Sequence, residues 1–95
     1  PANDGNAIRL PIPPLSEDRR REMVRLVKHR VEDGKVSVRN IRRDGVEQMR
    51  GMEKSKEISQ DDLHRALDRL QKLADGHIGT MDTLGQQKER EVMEV

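Results

Sequence analysis

Apolar and small residues recur at alternating steps of three and four along the first half of the chain, with polar residues between them. They are Val24, Val27, Val31, Gly34, Val38, Ile41, Gly45, Met49 and Met52. This spacing is typical of a helix that packs along another helix. Ser16 can cap the helix N-terminus, and Glu17 and Asp18 complement its dipole. The pattern predicts a first long helix over residues 16–54.

A second apolar series follows a short predicted turn at residues 54–58. Its members are Leu63, Leu67, Leu70, Ala74, Ile78, Met81, Leu84 or Gly85, Lys88 and Val92. Ser59 is the predicted N-cap, with Asp61 and Asp62 in the first helical turn. The series predicts a second helix over residues 59–93, antiparallel to the first because the connection is short.

Glycines interrupt both predicted helices. Gly34 and Gly45 lie in the first apolar series, where glycine is unfavourable for a helix unless two helices approach closely. We therefore expect close helix–helix contact at these two positions. Gly76, Gly79 and Gly85 lower the helix propensity of the second segment.

The segment before Ser16 has a different pattern. Ala7–Leu10 alternates apolar and polar residues and predicts a short strand. Pro11, Pro13 and Pro14 follow, and proline restricts the backbone and removes donors. These prolines predict either a stiff hinge between domains or a plain leader to the helix.

Composition narrows the class of protein. The 95 residues allow one small domain, and the fold class predicted for them is all-α. No apolar run is long enough to span a membrane, and cysteine is absent. Two helices bury too little apolar surface to offset the ordering of their backbones. A third helix, a dimer partner or a large ligand should therefore cover the apolar surface that remains.

Charge is distributed unevenly, although the net charge is only +1. Basic residues form a stripe beside the first apolar series, which predicts contacts with the phosphates of RNA or DNA. The stripe contains Arg25, Lys28, Lys35, Arg39, Arg42, Arg43 and Arg50, of which Arg39, Arg42 and Arg43 should point away from the apolar face. Without Phe, Tyr or Trp, single-stranded bases cannot stack on these rings, and contacts to the sugar–phosphate backbone of folded RNA or of a duplex remain available. Alternatively, the stripe pairs with Asp68, Asp75 and Asp82 of the second helix.

Catalytic and metal-binding patterns are not found. His29, His64 and His77 are too far apart in sequence for a local metal site, and they are interpreted as surface residues. There is no glycine-rich phosphate loop and no nucleophile with a nearby base. The sequence therefore predicts no enzyme, no metal and no cofactor.

Five motifs follow one another along the chain. The first, Arg9–Arg20, leads from a proline-rich segment into a helix, and the second, Lys35–Asp44, is rich in arginine. The others are Glu57–Asp62, Leu70–Leu73 and Lys88–Glu91. In this order the motifs resemble those of ribosome recycling factors, and the resemblance covers nearly the whole sequence. Gly45 departs from the family, which usually has alanine there.

The resemblance implies a two-domain protein, with a three-helix bundle and a small α/β domain inserted after the first helix. Residues 1–10 would end the inserted domain, 11–15 would form the hinge, and 16–95 would supply bundle helices two and three. The chain is then expected to be part of a longer protein.

The function implied by the resemblance is disassembly of the post-termination ribosome together with elongation factor G. The bundle would lie on large-subunit ribosomal RNA, with Arg42 as a leading contact and residues 54–58 directed toward the peptidyl-transferase region. The expected location is the bacterial cytoplasm, with an organelle as the other option. Two alternatives remain open: a structural coiled-coil module, and an RNA-gripping helical arm of a larger enzyme.

Overall fold

Two long antiparallel helices make up the part of the chain that the computed structural model describes, residues 16–94. Helix α1 is Glu17–Lys54 and helix α2 is Gln60–Glu94. The predicted bounds and the predicted pairing are confirmed, and residues 16–94 contain no strand. The predicted strand at Ala7–Leu10 and the hinge prolines Pro11, Pro13 and Pro14 lie outside the described residues.

Helix α1 begins and ends with recognisable capping interactions. The Arg19 backbone N–H donates to Ser16 Oγ at 3.1 Å, as expected for an N-cap serine. At the other end, Glu57 N–H donates to Met52 O and Lys56 N–H donates to Glu53 O. Lys56 has a φ of 63°, so this is a Schellman motif with lysine in place of the usual glycine.

Helix α2 begins with a reciprocal cap. The Asp62 N–H donates to Ser59 Oγ at 3.0 Å, and the Ser59 N–H donates to Asp62 Oδ2 at 3.4 Å. Arg65 Nη2 also donates to Asp62 Oδ1 at 2.6 Å. These contacts, above all the Arg65 hydrogen bond and then those of Ser59, lower the pKa of Asp62 below its ordinary value of 3.8.

The lowered pKa of Asp62 predicts how α2 responds to acid. Since the carboxylate is favoured in the folded state, its stabilisation is present above the ordinary pKa and is lost as the pH falls through the lowered one. Asp62→Asn should flatten the acid loss of helicity as the pH falls below the ordinary pKa of 3.8, as measured by circular dichroism. Arg65→Ala should flatten it in part. An unchanged acid profile for Asp62→Asn would show that the cap contributes nothing.

The buried stripe of α1 departs from the predicted series in the middle of the helix. Ile41 is 68% exposed, and Arg42 is half-buried in its place. Met52 is likewise exposed, and Glu53 turns inward. A straight helix has 3.6 residues per turn, so a strict heptad drifts around it. The assignment of Ile41 and Met52 to the packed face was wrong for this reason.

The same drift decides the ambiguous position in α2. Gly85 is buried and Leu84 is 53% exposed. One turn later Lys88 is exposed and Glu89 is half-buried. Placing Lys88 in the seam was therefore wrong, and the buried stripe continues from Gly85 through Glu89.

Three glycines let the helices approach each other closely. A Cβ on Gly34 would lie 3.3 Å from Met81 Sδ, and one on Gly45 would lie 3.1 Å from Leu70 Cδ2. The expected close contact at both positions is confirmed. A Cβ on Gly85 would lie even closer to the opposite helix, against Val31.

One side of the hairpin exposes apolar residues, and we call it the apolar side. It carries Ile41 and Leu84, together with Leu73, which is 62% exposed. Ala74, at 6% exposure, is the one buried apolar side chain within residues 16–94. The hairpin thus leaves apolar surface uncovered, as its sequence led us to expect. Neither helix is apolar enough over sufficient length to cross a membrane.

Candidate nucleic-acid interface

Two lysines of the predicted stripe form ion pairs across the two helices, on what we call the polar side of the hairpin. Lys28 Nζ lies 3.7 Å from Glu89 Oε1, and Lys35 Nζ lies 2.5 Å from Asp82 Oδ1. The Lys35 side chain retains only 20% of its exposure. The alternative prediction of pairing with the second helix is therefore confirmed for Asp82.

The other two predicted acidic partners bind within their own helix. Asp68 Oδ2 lies 3.0 Å from Lys72 Nζ. Asp75 Oδ1 accepts a hydrogen bond from Gln71 Nε2 at 2.9 Å. The prediction that Asp68 and Asp75 pair with the stripe was wrong, because each has a closer donor one helical turn away.

Arg42 lies at the boundary between the two helices. Its Nη1 donates to Gln71 Oε1 at 3.0 Å, and the residue is half-buried against Val38 and Leu70. The expectation that Arg42 points away from the packed face was wrong, for the geometric reason that also displaces Ile41. Only one of its five N–H groups is used in contacts within residues 16–94.

The remaining arginines of the stripe are exposed on α1. Arg43 Nη2 donates to Asn40 Oδ1 at 2.6 Å, within the same helix. Arg25, Arg39 and Arg50 form no hydrogen bond or ion pair with another described residue. Their guanidinium groups are therefore available for planar, two-point contacts with an anion.

An additional basic recess lies where the two ends of the hairpin meet. It is lined by four cations, one carboxylate that pairs with Lys28, and two apolar side chains: Arg21, Arg25, Lys28, Arg90, Glu89, Val24 and Met93. Arg21 and Arg90 are not among the site residues predicted from the sequence. Arg21 belongs to the same face of α1 as Arg25 and Lys28, so helical spacing could have indicated it. Arg90 lies on α2, and it reaches the recess only because the two helices pair. No local pattern in the sequence therefore indicates it.

Gln71 was missed as a member of the site, and Asp75, predicted as a partner of the stripe, contacts Gln71 instead. They are four residues apart on α2 and therefore share one face. That spacing is visible in the sequence, but the register that places Gln71 opposite Arg42 is not.

The histidines show no joint arrangement. His29 Nε2 lies 3.3 Å from Asp33 Oδ2 on the exposed face of α1. His64 and His77 are exposed on α2. Within the described range 16–94 no three His, Asp or Glu side chains come together as metal ligands. The predicted lack of metal, cofactor and catalysis remains a prediction.

Comparison with known proteins identifies the family. The family model described as "Ribosome recycling factor" matches residues 1–93. A protein of Dehalococcoides mccartyi named ribosome-recycling factor is 56% identical over all of this chain. Proteins of the same name from Chloroflexus aurantiacus and Geobacillus kaustophilus are 53% and 54% identical. The chain spans 51% of the length of each of these relatives. The chain belongs to the ribosome recycling factor family.

Proposed function

We propose that the chain acts in ribosome recycling, as part of a factor that binds large-subunit ribosomal RNA and, with elongation factor G, dissociates the post-termination ribosome. The observation that carries this proposal is the row of arginines on α1 that lack carboxylate partners, in a chain of this family. Membership of the ribosome recycling factor family supports the recycling role. The guanidinium groups of the arginine row supply the positive charge and the donors that bind RNA phosphates.

The arginine row suits the backbone of a folded RNA. It runs from Arg25 to Arg50, about 37 Å along the axis of α1. A guanidinium can bind two phosphate oxygens in one plane, and a row of this length can contact several successive phosphates. Since the sequence contains no Phe, Tyr or Trp, stacking of bases on these rings is excluded, and contacts to the sugar–phosphate backbone suit the arginine row best.

In this proposal the two lysines of the stripe contribute less to RNA binding than the arginines do. Lys28 and Lys35 are paired with Glu89 and Asp82, so their charges are largely compensated before RNA arrives. Each pair joins α1 to α2, and any phosphate contact would require sharing the lysine with its carboxylate. Most of the attraction to RNA then comes from the five arginines of α1: Arg25, Arg39, Arg42, Arg43 and Arg50.

Other parts of the proposal follow the family resemblance. Elongation factor G would hydrolyse GTP and drive dissociation, so the chain itself would not be an enzyme. The turn at residues 54–58 would face the peptidyl-transferase region, and Pro11, Pro13 and Pro14 would form the hinge between domains. The proposed location is the bacterial cytoplasm.

A structural coiled-coil module is the second candidate function. The observation in its favour is that Lys28 and Lys35 form interhelical ion pairs beside an uncovered apolar side. A module of this kind would bind protein through apolar contacts, and its binding would depend weakly on salt. Binding to RNA phosphates would weaken steeply as salt rises.

Dissociation of post-termination ribosomes tests the proposed function. The full-length protein should, with elongation factor G and GTP, lower the light scattering of post-termination ribosomes as they split into subunits. Either factor alone should cause much slower splitting. A variant with Arg39, Arg43 and Arg50 replaced by alanine should lose most of the effect. Equal splitting with and without the protein would contradict the proposal.

A further inference from the structure

Arg42 differs from the two lysines of the polar side in the kind of acceptor that it contacts. Lys28 and Lys35 each contact a carboxylate. Arg42 instead donates to the amide oxygen of Gln71 at 3.0 Å. Because the amide is neutral, this hydrogen bond restrains the guanidinium without compensating its charge.

Gln71 is held in place by a second hydrogen bond. Its Nε2 donates to Asp75 Oδ1 at 2.9 Å, one turn further along α2. An arginine can only donate and a carboxylate can only accept, so the two neighbours together fix which end of the amide faces Arg42. The orientation of the glutamine is therefore set before any ligand binds.

The arrangement leaves most of the guanidinium available. Arg42 uses Nη1 toward Gln71, and its other N–H groups form no hydrogen bond or ion pair with a described residue. A planar pair of donors can still meet an anion. A side chain that is already held in one geometry loses less conformational entropy on binding than a free arginine such as Arg39.

We propose that Gln71, braced by Asp75, is a positioning residue that presents the Arg42 guanidinium to a phosphate of ribosomal RNA. This inference rests on the proposed function and deepens it. It assigns to α2 a part in binding that the charge pattern of α1 does not indicate. Gln71 need not touch the RNA, since it acts through Arg42.

Binding of full-length variants to purified large ribosomal subunits, measured at several salt concentrations, tests the inference. Gln71→Ala should raise Kd by about 3- to 10-fold, the cost of immobilising an Arg42 side chain that is no longer restrained. The slope of log K against log salt should not change, because the phosphate contact still forms. Gln71→Ala and Arg42→Ala lose the same interhelical hydrogen bond, so their melting temperatures in circular dichroism should fall by comparable, modest amounts. A much larger fall for Gln71→Ala would indicate a purely structural role.

Two further variants separate orientation from charge. Gln71→Glu keeps an acceptor for Arg42 but places a negative charge beside it, so the salt slope should become shallower by up to about one unit. Gln87→Ala is the matched control, since Gln87 is an exposed glutamine of α2 that forms no hydrogen bond with another described residue. It should bind as the parent does.

A double-mutant cycle gives the decisive outcome. In an Arg42→Ala background, Gln71→Ala should have no further effect on Kd, because there is no guanidinium to position. An equal loss in both backgrounds, or parental binding by Gln71→Ala when Arg42→Ala binds weakly, would overturn the positioning role alone. Parental binding by both single variants would overturn that role together with the proposed RNA contact of Arg42.

Discussion

Gly85→Ala will destabilise the helical hairpin, whereas Gly79→Ala on the same helix will stabilise it. A Cβ at Gly85 would lie 2.7 Å from Val31 Cγ2, well inside van der Waals contact, with two further Val31 carbons at 3.7 and 3.8 Å. Val31 has a β-branched side chain that cannot easily turn aside. A Cβ at Gly79 would have no described neighbour within 4 Å.

The two alanine variants form a matched pair. Each gains the same helix propensity, about 1 kcal/mol relative to glycine. Only Gly85→Ala introduces overpacking, which costs about 1–3 kcal/mol. The free energy of unfolding should therefore be lower for Gly85→Ala by about 1–3 kcal/mol relative to Gly79→Ala. Urea unfolding of the full-length variants, followed by circular dichroism, measures this difference.

Val31→Ala provides the control for this contact. In the Gly85→Ala background it removes the methyl groups that clash, so the two losses should be less than additive. Equal stabilisation by Gly85→Ala and Gly79→Ala would show that the helices are not this close at Val31, and it would contradict the packing described above.

The helices themselves could be predicted because their signals are local. Ser16 and Ser59 each have a side-chain oxygen that accepts from a backbone N–H three residues later. The alternating steps of three and four residues then define a packed face over many turns. Short-range rules of this kind need no knowledge of the partner helix.

The details of the packed face could not be predicted, because they depend on how far each helix twists. Ile41 and Arg42 differ by 100° around α1, and a small drift over six turns decides which one faces α2. The same applies to Leu84 and Gly85. The supercoil is set by both helices together, so neither sequence alone gives it.

The candidate site was predicted only in part. The cations of α1 could be identified from composition and spacing, but their partners depend on the register between the helices. That register places Gln71 opposite Arg42 and Asp82 opposite Lys35. The left-handed Lys56 was also not predictable, since lysine carries no preference for that conformation.

Arg42→Ala should weaken binding to the large ribosomal subunit by about 1–3 kcal/mol, the range for a charge-assisted hydrogen bond to phosphate. The chain should remain folded, although loss of the contact with Gln71 will lower its stability by about 1 kcal/mol. This is more than expected for a fully exposed arginine, because Arg42 is half-buried between the helices.

Two control variants bracket this effect. Lys72→Ala removes an exposed cation from α2 that is paired with Asp68, so binding should weaken much less than in Arg42→Ala. Glu32→Lys replaces an exposed acidic residue that interrupts the row on α1, and it should strengthen non-specific binding to RNA. Together they distinguish a local contact from a change in net charge.

The most direct test of RNA binding through α1 is the salt dependence of large-subunit binding by the parent and by Arg42→Ala, with circular dichroism of both proteins. Binding of the parent should weaken linearly in log K against log salt, and Arg42→Ala should bind more weakly with a slope reduced by about one unit. If Arg42→Ala binds like the parent at every salt concentration, the arginine serves only to join α1 and α2, and the structural coiled-coil module becomes the better account.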